Sequence, residues 1–256
     1  MTSLSRLHKP LRSLLLAGVA VVAISACASN RGNMPSPDYS GMPAAQAQQG
    51  LTELTSRYKS NPKDKGIAIH YAAALRAAGQ SKQAVSVLEI SMGYYPGDAG
   101  ISVAYAKALT ADGRFEQSLQ VLDNVIRPEA PDWNALLVKG ATLDQVGRNG
   151  EARALYTQAL VFAPGEASIE ANMGLSYAMT NELPAAEQHL RRAVQMRGST
   201  SRIRQNLALV IGLQGRFDEA RAIYAAELPP EQVESNMTYV RSLLRQQNRW
   251  EQVAKG

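Results

Sequence analysis

Between residues 65 and 232 the apolar positions of this chain fall at helical spacing, and the pattern repeats 34 residues later. With position 1 of each unit set at Lys65, Ala99, Trp133, Ala167 and Ser201, position 8 is small throughout (Ala72, Ala106, Gly140, Gly174, Ala208). Position 11 is large throughout (Leu75, Leu109, Leu143, Tyr177, Ile211). Position 20 is small again (Ala84, Ser118, Ala152, Ala186, Ala220), which lets a second helix approach the first. Position 24 (Leu88, Leu122, Tyr156, Leu190, Tyr224) and position 28 (Met92, Ile126, Leu160, Val194, Leu228) then fill the space so left. Position 15 carries Gly79, Gly113, Gly147, Asn181 and Gly215. Glycine, with asparagine as its best substitute, ends a helix in the left-handed conformation, so each unit predicts helix, tight turn, helix. Pro96 and Pro164 close their units and Pro131 falls one place late, because proline cannot continue a helix interior.

This small-large-small pattern at a 34-residue period resembles the tetratricopeptide repeat. The resemblance implies an all-α fold: a helix-turn-helix solenoid of about five 34-residue repeats over residues 65–232. Ser91, Val125 and Glu227 depart from the family's alanine at position 27, and Gly198 stands where the fourth unit would end in proline. Glu227 precedes Pro229-Pro230, which predicts a shortened fifth unit and an irregular junction. Residues 44–64 read as an N-terminal capping helix ahead of Asn61-Pro62. Residues 233–256 read as a C-terminal capping half-repeat, with Trp250 at the place of Phe115 and Phe217. A solenoid needs such ends because each unit covers only its neighbours' apolar faces.

The composition, 45% hydrophobic and 19% charged with 6% aromatic residues, is globular and suits closely packed helices. A net charge of +5 invites a nucleic-acid reading, but Arg6, Lys9 and Arg12 belong to a segment expected to be removed, and without them the balance is +2. With both signs interspersed, no phosphate-tracking stripe forms and no nucleic-acid partner is expected. Residues 1–12 carry three cations, and Leu14 to Ile24 form an apolar run too short to span a bilayer, so residues 1–26 read as a secretory signal. The run ends Ile24-Ser25-Ala26-Cys27, which resembles a bacterial lipobox and implies lipid attachment at Cys27, the chain's single cysteine. Without that resemblance the same residues are an ordinary small-residue cleavage site. Two or more acyl chains anchor a protein stably without spanning the membrane. Ala28 is not the aspartate that marks inner-membrane retention in enteric bacteria, so the resemblance implies outer-membrane placement facing the periplasm. Residues 27–43, rich in Pro, Gly and Ser after Cys27, read as a lipidated N-terminus and flexible linker of ~20–25 Å reach.

No phosphate-binding loop, nucleophile elbow, His-Glu-x-x-His or calcium loop is present, and Gly93, Gly97 and Gly100 follow no strand. His70 and His189 stand in different units without a ligand set and are expected on helix surfaces. No enzyme, metal or cofactor is expected. Trp133, Tyr94 and Tyr95 read as junction packing. In the family the first helix of each unit lines a groove through positions 5 and 9, here Ile69 and Ala73, Val103 and Lys107, Leu137 and Ala141, Ala171 and Leu175, Gln205 and Leu209. That mostly apolar set suits an amphipathic helix or an extended apolar segment of a protein partner; the alternative is that several of these side chains pack between units. The lysine and asparagine pairs by which some relatives clamp a C-terminal carboxylate are absent from the first two units. Lipobox and repeat number together resemble the tetratricopeptide-repeat lipoproteins of tight-adherence (Flp) pilus assembly. This implies a non-enzymatic scaffold that helps an outer-membrane secretin localise or multimerise. Scaffolds serving β-barrel assembly or peptidoglycan enzymes, and a cryptic hydrolase, are the alternatives.

Overall fold

The computed structural model describes residues 44–255, with side chains described for 47–246. The signal segment, Cys27, Ala28 and the linker expected over residues 28–43 lie outside the described residues. Twelve helices and no strand occur among the described residues: α1 Ala44–Ser60, α2 Lys65–Ala77, α3 Ser81–Tyr94, α4 Ala99–Ala111, α5 Phe115–Asp123, α6 Trp133–Gln145, α7 Asn149–Phe162, α8 Ala167–Met179, α9 Leu183–Gln195, α10 Ser201–Leu213, α11 Phe217–Glu227 and α12 Pro230–Lys255. The fold is an all-α helical-repeat solenoid. Each first helix (α2, α4, α6, α8, α10) packs on its own second helix and on the next first helix, whereas the backbones of successive second helices stand further apart. The array therefore bends with the first helices on its inner side.

The turns follow from the position-15 residues. Gly79, Gly113, Gly147 and Gly215 have φ of 74°, 78°, 78° and 82°, and Asn181 has 62°. Around each, the following amide reaches back to the last turn of the first helix: Gln80 N–H to Leu75 O at 2.8 Å, Arg114 to Leu109, Arg148 to Leu143 and Glu182 to Tyr177 at 2.9 Å, Arg216 to Ile211 at 3.3 Å. This six-to-one bond is the Schellman closure, and it satisfies carbonyls the helix would leave unpaired. The opposite ends are capped with the same regularity, as Asp64, Asp98, Asp132, Glu166 and Thr200 each accept a hydrogen bond from an amide of the first turn.

Packing explains the small positions. A Cβ on Gly140 would lie 2.5 Å from Tyr156 Cε1, and one on Gly174 would lie 2.8 Å from Leu190 Cγ. All five position-20 residues and Leu88, Leu122, Tyr156 and Leu190 are fully buried.

Two segments differ from the regular pattern. α5 stops at Asp123, a turn shorter than α3 or α7. Pro128 has no N–H to donate and disfavours helix at Arg127, so the chain crosses to α6 irregularly. α12 runs unbroken to Lys255, so no turn precedes Trp250 and the half-repeat pattern expected there is replaced by one long helix. α11 is short, ending at Glu227, and Leu228 is extended. The buried Val233, Met237 and Val240 of α12 then take the places of Ile203, Leu207 and Val210 of α10, about one helical turn early.

Candidate functional site

On each first helix, positions 2, 5, 6, 9 and 13 fall on one face by the 3.6-residue period. This face forms the inner surface of the bend, because the opposite side of the helix meets its own second helix. Of the ten residues expected to line a groove, Ala73, Val103, Leu137 and Ala171 are buried. Ile69, Lys107, Ala141, Leu175, Gln205 and Leu209 are half-buried. Leu137 packs in the cluster of Leu119, Leu136, Leu143 and Tyr156. Lys107 Nζ donates to Asn134 Oδ1 at 3.2 Å, joining two first helices across the face. At position 13, Met179 is 54% exposed, and on α12 Tyr239 is 57% exposed. Tyr239 was missed in the sequence because the short fifth unit moves α12 out of the 34-residue register.

Beneath that surface lie two polar pins between units. Thr110, Ser118 and Thr142 exchange hydroxyl hydrogen bonds of 2.8–3.3 Å. Asp144, buried on α6, accepts from Tyr156 Oη at 2.8 Å and from Ser176 Oγ and Asn149 Nδ2 at 2.7 Å. Burial, and then the adjacent Asp144 carboxylate, push the Tyr156 hydroxyl far above the ordinary phenol range, so it remains a donor. The three donors satisfy a carboxylate whose burial would otherwise be costly.

His189 is not the surface histidine expected: its side chain is 16% exposed, and Nδ1 lies 2.7 Å from Glu170 Oε2. Arg192 Nη2 stands 2.7 Å from the same nitrogen, which can serve one of these partners at a time. The ring stacks on Tyr177 at 5.1 Å, with the Arg153 guanidinium 3.9 Å from the Tyr177 centroid. His70 is exposed as expected. Among the described residues no three His, Cys, Asp or Glu side chains gather as a metal site, and no helix is long and apolar enough to cross a membrane. On the outer side a cleft of about 520 Å³ separates α5 from α7 over α6. Four of its five ionic groups pair with one another, Lys139 with Asp123 and Arg148 with Glu151.

The outer edge is clamped by ion pairs between units. Arg153 of α7 reaches Glu182 at 2.8 Å, and Glu187 of α9 holds Arg216 at 2.7 and 2.8 Å. Hydrogen bonding from Arg216 foremost, with Gln214 and Arg191, holds the Glu187 carboxyl at about 2 against the opposing effect of burial.

Two models described as tetratricopeptide repeat match the sequence, over residues 75–139 and 171–234, together half of the chain. The chain is a tetratricopeptide-repeat protein. Solved structures of tetratricopeptide-repeat proteins share its fold. One from Parabacteroides merdae is 12% identical at a TM-score of 0.65, covering 77% of this chain and 78% of that one. A thermophilic one from Thermus thermophilus is 20% identical at 0.58, covering 76% and 98%. Human IFIT1 is 15% identical at 0.60, with 77% of this chain spanning 50% of that one. At such identities the likeness is one of fold. No curated protein matches the sequence. Tetratricopeptide-repeat domains typically bind protein partners and are generally non-catalytic scaffolds, which makes the inner face the candidate site.

Proposed function

We propose that this chain is a lipid-anchored, periplasm-facing scaffold of the outer membrane that captures a protein segment on the inner face of its array. The observation that carries the reading is that face itself: half-buried Leu175 and Leu209 and exposed Met179 stand together on α8 and α10, where a core would bury them. The resemblance to TadD of the tight-adherence (Flp) pilus system favours a pilotin-like role towards an outer-membrane secretin. Lipid attachment at Cys27 would hold the array near that pore. Scaffolding of β-barrel assembly or of peptidoglycan enzymes is the alternative reading.

The test is crosslinked capture in the native envelope with the full-length chain. Leu175→Asp should remove the captured secretin at an unchanged melting midpoint, and Cys27→Ala should release the protein from membranes without unfolding it. Capture of a β-barrel-assembly or cell-wall protein instead would overturn the pilus assignment. Capture that survives Leu175→Asp would overturn the inner face as the site.

A further inference from the structure

The long helix α12 carries two apolar stripes, and the array uses one of them. Val233, Met237 and Val240 are buried against it, and half-buried Leu244 is the last member of that stripe. Continued by the helical period, the stripe meets Gln247, Glu251 and Lys255, so packing on α10 and α11 ends at Leu244. The second stripe lies about 120° round the helix. It begins with Tyr239, 57% exposed, and half-buried Leu243. Trp250 and Val253 fall on it by register, with Gln246 between.

Placement gives this stripe a direction. With Val240 at the place of Val210, Leu243 stands level with Leu213, the last residue of α10. Residues 244–255 therefore continue ~18 Å past the edge at which the first helices end. That edge carries the turns at Gly79, Gly113, Gly147, Asn181 and Gly215. The chain also enters the array there. α1 reaches α2 through residues 61–64 and packs on it, so it runs like a second helix and begins, at Ala44, on the same edge. The chain leading back to Cys27 thus departs from the edge past which α12 runs.

Charge then selects the occupant. From Arg241 to Lys255 the helix carries four cations and one acid, Glu251, which is not on the second stripe. Arg241 lies over the Phe217 ring, 5.6 Å from its centroid. Arg245 makes no ion pair or hydrogen bond among the described residues, and Arg249 follows one turn on. An aromatic and aliphatic stripe without acid, beside arginines, is the pattern of a helix lying in the interface of an anionic bilayer. A second copy would set the same excess of cations against itself.

Resting on the lipid anchor proposed above at Cys27, we propose that the distal part of α12 is a second membrane contact, with the stripe of Tyr239, Leu243, Trp250 and Val253 laid on an anionic lipid surface and Arg245 and Arg249 against its headgroups. Alone the stripe binds weakly. The acyl tether supplies the local concentration that keeps it seated, so Cys27→Ala still releases the protein.

The probe is the lipidated chain carrying Trp133→Phe, which leaves Trp250 as its single tryptophan, placed on vesicles of phosphatidylethanolamine and phosphatidylglycerol with or without brominated acyl chains. Flotation with the vesicles reads the anchor, and tryptophan quenching reads α12. Brominated lipid should quench at least half of the Trp250 emission. Arg245→Glu together with Arg249→Glu should lose most of that quenching at an unchanged melting midpoint, since each cation near such a surface contributes ~5-fold in partition. Phosphatidylcholine in place of phosphatidylglycerol should lower it in the same way without any change to α12. Equal quenching on phosphatidylcholine overturns the anionic surface. A chain that floats with Trp250 untouched by brominated lipid overturns the α12 contact and leaves the anchor standing. Shielding of Trp250 that grows with protein density and is indifferent to bromine gives the stripe to a second copy and overturns the proposal too. A chain that does not float overturns the anchor and this contact with it.

Discussion

Gly140→Ala tests the packing logic of the array most sharply, because two well-understood effects oppose each other there. Alanine in a helix interior is favoured over glycine by ~0.5–1 kcal/mol. Against this, the new Cβ would stand 2.5 Å from Tyr156 Cε1 and 2.9 Å from Cζ, inside any tolerable contact. If the ring stays, the backbone must move, at ~1–3 kcal/mol for overpacking. The fifth unit shows the other route, since Ala208 and Tyr224 coexist there with both residues buried. Tyr156, however, is tied to Asp144 at 2.8 Å. Swinging the ring away would break a hydrogen bond to a buried carboxylate, at ~1.5–3 kcal/mol. Either way the loss exceeds the helix gain, and a net destabilisation of about 1–2 kcal/mol is expected. Far-UV circular dichroism melting of the full-length chain reads it as a fall of several degrees. Gly150→Ala on α7, where a Cβ meets nothing within 4 Å, is the control and should raise the midpoint. A Gly140→Ala midpoint at or above the parent's would refute the reasoning.

Three further outcomes follow. Gly113→Val places a β-branched residue at φ 78°, should cost more than ~1 kcal/mol, and is checked by the same melt. Glu187 has its folded pKa lowered from 4.5 to about 2, so its stabilising contribution is complete above about pH 4.5 and is lost as pH falls towards 2. Glu187→Gln should melt lower than the parent at pH 7 and lose less between about pH 5 and pH 2.5 in a pH series of melts. Raising salt to ~1 M shortens the screening length to ~3 Å; hydrogen exchange should then show α9 and α11 losing more protection than α2 to α4, which share an apolar cluster and a single Lys65–Asp98 pair.

Much of this architecture was legible because it rests on short-range requirements that repeat. Position 15 demands a left-handed residue and position 8 a thin one, and both demands recur often enough to stand out from a single sequence. The N-caps Asp64, Asp98, Asp132, Glu166 and Thr200 recur just before every unit but were not among the sequence expectations. What was not legible depends on where residues from different units meet. The Asp144 pin joins α6, α7 and α8 through Tyr156, Asn149 and Ser176, and no spacing rule announces it. His189 looked solitary because Glu170 belongs to the preceding helix of its own unit. Leu137 looked like a groove residue at position 5, yet the neighbouring helices close over it. The buried side of α12 and the exposed Tyr239 stayed hidden because the shortened α11 draws α12 about one turn out of register.

The joints between units change character along the array at position 21. At position 21 the first two units carry Val85 and Leu119, both buried, and Arg148 of the next turn pairs within its own helix with Glu151. From the third unit onward the same position carries Arg153, Glu187 and Arg221, which reach Glu182, Arg216 and Glu234 of the next unit. Apolar contact is non-directional and tolerates sliding, whereas a guanidinium facing a carboxylate with two parallel hydrogen bonds fixes distance and angle together. Arg216 makes such a two-pronged contact with Glu187. The clamps thus lie on the outer edge of the same units whose first helices carry Leu175, Met179 and Leu209. The clamps therefore fix the separation of neighbouring units from the outer edge, without contributing a side chain to the inner face.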